Sequence, residues 1–233
     1  MSSLVDTAFL EWTKGLDPRE SRVSVFEYIR DIPYSLATPA TDPRTAPETI
    51  LSLGKGNCGP KHYLLAALFR RLGLDVVYAT FPFLWDDPGL RYPPDLRTLS
   101  HGLPVAWHLA CRVYIGSRWV LVDATWDPPL EKGGFPVNGS WNGYTETLCA
   151  VKPLKTAVRT AFCRTATEKP CRPESDQVYD PLDGECDHRT AGDRRRFYTA
   201  RTSLRTPAEM RRIAEFYPAF EAWIVKLRES GNP

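Results

Sequence analysis

Gly54-Lys55-Gly56-Asn57-Cys58-Gly59-Pro60-Lys61-His62, running into the apolar stretch Tyr63-Leu64-Leu65-Ala66-Ala67-Leu68-Phe69, decides how this chain is read. Two glycines punctuate a turn, and the apolar stretch reads as a buried helix that starts at Cys58 or Gly59 and runs to Leu72, with Gly73 stopping it. A thiol in the first turn of a helix lies among unpaired backbone N–H groups and the positive end of the helix dipole, both of which favour thiolate. Cys58 is thus placed as a nucleophile, against the bland alternative of an inert core thiol. Pro60 is tolerable just inside the helix start, where its missing N–H has no intrahelical partner to lose.

Upstream, Asp17-Pro18-Arg19-Glu20 is a helix-start signature for a helix over residues 18–30. A further helix is expected around 4–14, and a short one at Pro47–Leu51. Downstream, Asp75–Thr80 reads as a strand. Residues 81–104 hold five prolines, Pro82, Pro88, Pro93, Pro94 and Pro104, and are expected as an irregular loop. Two strand-like runs follow, 105–115 and 118–125, joined by the two-residue turn Gly116-Ser117.

That turn fixes a register. Ile115 pairs with Arg118, Tyr114 with Trp119, Ala110 with Asp123 and His108 with Thr125. Because side chains alternate between faces, His108 shares the face of Ala110, which makes His108 and Asp123 diagonal neighbours. An imidazole held by a carboxylate is a general base with its orienter. With a helix-start thiol it completes the set needed for covalent acyl chemistry.

The ordered motifs Gly54-Lys55-Gly56-Asn57-Cys58 with Leu65–Leu74, Trp107-His108, and Trp119-Val120-Leu121-Val122-Asp123-Ala124-Thr125 resemble the transglutaminase-like superfamily of papain-fold cysteine enzymes. Tyr28–Tyr34 resembles the segment preceding that core. The resemblance implies an α+β fold, in which N-terminal helices with the nucleophile helix pack on an antiparallel β-sheet or small barrel. It implies Cys58 as nucleophile, His108 as base and acid, and Asp123 as orienter. The backbone N–H of Cys58 is the natural first oxyanion donor, and Tyr34 is offered as a second from its place in the upstream motif. Many relatives carry an aromatic after the histidine, where this chain has Trp107 before it.

The expected organisation is a catalytic domain over 1–160 with its motif core at 22–127, a polar, weakly ordered segment over 161–205, and a C-terminal amphipathic helix over 206–230. That helix carries Met210, Ile213, Phe216, Phe220, Trp223, Ile224 and Leu227, docks on the core by its apolar face, and is expected to be kinked or interrupted at Pro218. Trp85 and Trp141, in loops, are candidates for a substrate cleft. Trp107 is weighed between cleft and packing.

The composition excludes several classes. The 233 residues carry 30 Lys plus Arg against 28 Asp plus Glu, a formal charge of +2 that gives no reason to expect a nucleic acid or an anionic membrane as partner. No apolar run approaches the roughly 20 residues that span a bilayer, and the expected compartment is the cytoplasm. The six cysteines are expected as free thiols. Cys163, Cys171, Cys186 and His188 lack the spacing of a zinc finger or knuckle, His62 lacks an orienter that would make it a rival base, and Arg194-Arg195-Arg196 reads as a solvated charge run. No metal or organic cofactor is expected. The resulting expectation is a cysteine enzyme carrying out acyl transfer or amide hydrolysis through a thioester, on a peptide, protein or small-molecule acyl substrate. The alternatives are a biosynthetic enzyme acting on a carrier-bound thioester and a non-catalytic binding module retaining the fold.

Overall fold

The computed structural model describes residues 3–37, 42–154 and 186–230. Four helices come first, α1 (Leu4–Thr13), α2 (Pro18–Asp31), α3 (Ala46–Leu53) and α4 (Cys58–Arg71). Local chemistry sets where they begin. Ser3 with Asp6, and Asp17 with Glu20, form reciprocal capping boxes, and the Asn57 side chain accepts the Gly59 N–H at 2.9 Å to open α4. The two glycines before Cys58 serve different ends. Gly54, at φ +63°, closes α3 in the left-handed region, whereas a Cβ on Gly56 would lie 2.7 Å from Ile50 Cδ1.

Four strands, β1 (Val76–Phe83), β2 (Ala106–Ile115), β3 (Arg118–Val122) and β4 (Cys186–His188), form one antiparallel sheet in the order β3-β2-β1-β4. The main core lies between the sheet and the helices. Leu109, Cys111 and Val113 of β2, with Val120 and Val122 of β3, meet Leu64, Leu65, Leu68 and Phe69 of α4 and Val25, Phe26 and Ile29 of α2. Burying each large apolar side chain stabilises by roughly 1.5–3 kcal/mol, so the cysteine helix is seated by its own apolar stripe. The fold is α+β as expected, and among the described residues the sheet is an open one rather than a barrel.

The region expected as an irregular loop is more ordered than its prolines suggested. β1 continues through Phe81, Pro82 and Phe83, which pair with His108, Trp107 and Ala106. Pro82 is tolerated because its carbonyl accepts Leu154 N–H at 2.9 Å, so its polar groups face away from β2 and no ladder bond is lost. Pro94 opens a short helix, α5 (Pro94–Ser100).

The expected polar segment 161–205 also needs correction. Its part up to residue 185 lies outside the described residues, but beyond that come β4 and the helix α6 (Ala191–Thr202). A Thr190–Asp193 capping box starts α6, and Phe197 anchors it edge-on to Trp107 at 5.1 Å. The last helix, α7 (Pro207–Glu229), runs without interruption through Pro218. Phe216 and Phe220, both fully buried on either side of the proline, hold it against Trp85, Tyr92, Trp126 and Phe135.

Docking of α7 is polar as well as apolar. Arg228 forms a bidentate pair with buried Asp127 (2.7 and 2.8 Å) and donates to the Tyr34 carbonyl at 2.8 Å, while Asp127 accepts the Tyr34 N–H at 2.8 Å. Glu221 accepts Ser35 Oγ at 2.6 Å and the Leu36 N–H at 2.9 Å. The chain from Tyr34 to Leu36 is therefore held by α7. Among the described residues no helix is long and apolar enough to cross a membrane. Arg228→Ala strands a carboxylate that is 3% exposed, and should lower unfolding stability by about 3 kcal/mol. Urea titration followed by tryptophan fluorescence reads this as a lower midpoint at unchanged slope.

Candidate active site

The hairpin that carries the histidine has Gly116 at φ +54° and Ser117 at φ +74°, the two positive values a type I′ turn requires. Its ladder runs from Ile115↔Arg118 through Tyr114↔Trp119 to Cys111↔Val122. One step further lies Asp123, and its Oδ2 stands 2.7 Å from His108 Nε2. The ladder pairs keep the register counted from the sequence, although they stop at Cys111↔Val122, short of Ala110–Asp123 and His108–Thr125. Asp123 is 1% exposed, so its charge must be met inside the protein. Thr125 Oγ1 donates to Oδ1 at 2.6 Å, Thr125 N–H to Oδ1 at 3.2 Å, and Ala150 N–H to Oδ2 at 2.8 Å.

Cys58 occupies the first position of α4, and it lines the same cavity as His108, close enough for each group to shift the titration of the other. Since Nε2 of the ring is taken by Asp123, Nδ1 is the nitrogen facing the sulfur. Burial alone would raise the Cys58 pKa, but the His108 hydrogen bond and charge, the Leu109 N–H and the charge of Arg194 together bring it below the ordinary thiol value. For His108, burial disfavours the imidazolium, and the charge and hydrogen bond of Asp123, joined by Cys58, outweigh it and raise the pKa. The opposite shifts favour a thiolate–imidazolium pair.

Two residues after Cys58 fix α4 against the hairpin. Lys61, fully buried, donates from Nζ to the carbonyls of Arg30 (2.9 Å), Ile32 (2.8 Å) and Thr125 (2.8 Å). It thereby joins the end of α2 to the chain just past Asp123. The His62 ring accepts Ala124 N–H at Nε2 (3.1 Å), which leaves Nδ1–H to donate to the Cys58 carbonyl (2.9 Å). Burial pushes its pKa down to about 4 against the opposing charge of Asp123. Both ring nitrogens are committed, so His62 is a neutral strut and not a rival base. Lys61 was missed in the sequence, although a lysine on the apolar stripe of Leu64, Leu65 and Leu68 was a visible signal.

Cys58 opens on a cavity of about 440 Å³, whose wall includes Tyr34, Trp85, Trp107 and His108. Two of the three expected cleft residues, Trp85 and Trp107, line it, beside the oxyanion candidate Tyr34. Trp141 does not. It packs into the helical core against Phe26 and Phe69 (ring centroids 5.4 and 6.1 Å), with its indole N–H bonded to the Thr145 carbonyl at 2.6 Å. The cause is visible in α2: Arg22 donates to Gly143 O at 2.6 Å and Arg30 to Asn138 O at 3.1 Å, pulling the Trp141 loop onto the helices.

A second cysteine approaches the His–Asp pair. Cys149 Sγ lies within 4.8 Å of a His108 nitrogen and an Asp123 oxygen, the tightest such donor group among the described residues. His108 and Asp123 are already bonded to each other, and burial followed by the Asp123 charge pushes the Cys149 thiol up to about 12. Cys149 therefore stays protonated, and it faces a different cavity from Cys58. Of the imagined zinc set, Cys163 and Cys171 lie outside the described residues, and Cys186 Sγ sits 3.2 Å from His188 Nε2 on β4.

Residues 11–124 match the model of the transglutaminase-like superfamily. A solved structure from Cytophaga hutchinsonii, described as a "Putative Cysteine Protease", is 22% identical, with a TM-score of 0.38 over 55% of this chain and 38% of that one. The chain thus spans well under half of that protein's length. No curated protein matches the sequence.

The opposed shifts of Cys58 and His108 set a pH signature. Cys58 should be alkylated by iodoacetamide faster than Cys149 or Cys186, at a rate that stays high through neutral pH and falls only on the acid side as its thiolate takes a proton. His108→Ala should move that acid inflection upward towards the ordinary thiol value, read by mass spectrometry of the alkylated peptide across pH.

Proposed function

With residues 11–124 belonging to the transglutaminase-like superfamily, we propose that this protein is a cysteine-dependent enzyme that cleaves or transfers acyl groups through a thioester on Cys58. The observation that carries the reading is the 2.7 Å contact between His108 Nε2 and Asp123 Oδ2, made by an imidazole that lines the same cavity as the Cys58 thiol. A buried carboxylate saturated by fixed donors holds the ring in one orientation, and the ring meets a thiol at the floor of a cavity. Nucleophile, base and orienter converge without any cofactor being asked of them.

In this reading the Cys58 sulfur attacks the carbonyl carbon of an amide or related acyl compound. The electron pair of the carbonyl moves to oxygen, where the Cys58 N–H at the helix start receives it, with the Tyr34 side chain from the cavity wall as second donor. On collapse, the proton held by His108 passes to the departing amine, leaving the acyl group on sulfur. Water or an amine then gives a proton to His108 and attacks the thioester, restoring Cys58. Asp123 stabilises the imidazolium and keeps Nδ1 turned to the sulfur throughout.

The same path serves hydrolysis and transfer, the acceptor alone distinguishing them. Peptidyl-glutamine and peptide-amide libraries, offered with hydroxylamine as a strong acceptor, test the reading directly. The native protein should form hydroxamate and show an acyl adduct on Cys58 by intact mass. Cys58→Ala should form neither, and Asp123→Asn should retain the fold while losing roughly 10²–10⁴-fold in turnover. Hydroxamate formation by Cys58→Ala at the native rate would sink the proposal, and a native protein that forms neither hydroxamate nor adduct would favour a binding role.

A further inference from the structure

Three arginines line the Cys58 cavity, and none of them gives or takes a proton in the acyl steps. Arg194 and Arg195 project from α6, and Arg205 follows it; among the described residues no aspartate or glutamate lines the same cavity. Arg194 is the telling one. It is 6% exposed, yet its Nε has no hydrogen-bond partner. Its guanidinium lies 4.6 Å over the Tyr198 ring, and Tyr63 of α4 lines the cavity with it. Aromatic faces hold the group in place without neutralising it. Arg195 reaches Asp42 only at 3.7 Å, and Arg205 reaches the Val105 carbonyl at 3.5 Å.

A buried guanidinium with an unspent donor and, among the described residues, no carboxylate paired with it is costly unless something anionic completes it. The rest of the cavity is different in kind, with Phe83, Trp85, Trp126 and Tyr217 giving an aromatic wall. The wall therefore has a cationic side and an apolar side, both within the space that Cys58 opens on. We propose that Arg194, with Arg195 and Arg205 beside it, is an anion subsite of the Cys58 cleft, binding a carboxylate or phosphate carried by the acyl substrate near its reacting carbonyl.

The inference rests on Cys58 being the nucleophile. The substrate class it names is an acyl compound with an apolar body and one anionic group. That group is either a carboxylate of the acyl portion or a phosphate of a carrier arm, two sources with one recognition chemistry. The field of Arg194 also favours the Cys58 thiolate, but that effect leaves the Nε donor unspent. A guanidinium acting only on the sulfur would speed every electrophile alike.

Two reagents with the same leaving group separate these roles: iodoacetate, an anion, and iodoacetamide, its neutral counterpart. The ratio of their alkylation rates at Cys58 in the full chain cancels any change in thiolate nucleophilicity. Arg194→Gln should lower that ratio by about tenfold, the loss of one charge-assisted hydrogen bond. Arg205→Gln should lower it less, and Arg196→Gln, whose exposed side chain pairs with Asp193, should leave it unchanged. A ratio that holds in both Arg194→Gln and Arg205→Gln overturns the subsite, as does an equal fall in both rates. If Arg194→Gln does not fold, Arg205→Gln decides. Failure of the catalytic reading looks different: in the native protein neither reagent would modify Cys58 faster than Cys149. Protection of Cys58 from iodoacetamide identifies the source, glutarate protecting better for a carboxylate and inorganic phosphate for a carrier arm.

Discussion

A carboxylate sealed from water is the constraint around which this molecule is arranged. Asp123 is reached by no bulk solvent and carries its charge only because His108, Thr125 and Ala150 surround it with donors. Those donors come from β2, from the chain just past β3 and from the loop near residue 150. Satisfying one buried charge therefore joins three segments at once. The backbone obeys the same logic, since the N–H of Asp123 goes to Thr147 Oγ1 at 2.8 Å and that of Ala124 to the His62 ring. What reads chemically as an orienting residue is, in the fold, a junction.

The cysteine helix is attached to that junction by its own second and third turns of sequence logic. Apolar residues from Leu64 onward seat α4 on the sheet, but apolar packing has little directional preference and would tolerate small slides along the groove. Lys61 and His62 remove that freedom, because three carbonyls and one N–H at fixed positions admit a single placement. The sulfur, three residues before Lys61, inherits the precision. Catalytic geometry here is set from beneath, by groups that need never touch a substrate.

Much of this was legible in the residues because it is local. The Gly116-Ser117 turn fixes a ladder by counting, and counting put His108 beside Asp123; Asn57 and the glycines before it announce the start of α4. The misses share a cause. Trp141 is expected in a cleft because it lies in a loop, whereas its burial is decided by Arg22 and Arg30, more than a hundred positions away. Residues 186–205 read as unstructured from their charge, though Thr190 and Asp193 form a capping box and Phe197 supplies the anchor. Arg194 could not be told from a solvated arginine until α6 was seen to turn it inward. Side chains whose environment is assembled from distant segments leave little trace in their own neighbourhood.

The hold of α7 on the chain from Tyr34 to Leu36 has a consequence for timing. Glu221 and Arg228 are synthesised long after Cys58, His108 and Asp123, yet they fix a wall of the cavity into which the thiol opens. During translation the nucleophile and its base emerge as a thiol and an imidazole beside an unfinished cleft. The wall at Tyr34–Leu36 gains its hold only once α7 has been made, since the Leu36–Glu221 bond spans 185 positions. Order of synthesis thus separates the making of the thiol and imidazole from the fixing of the cavity wall beside them.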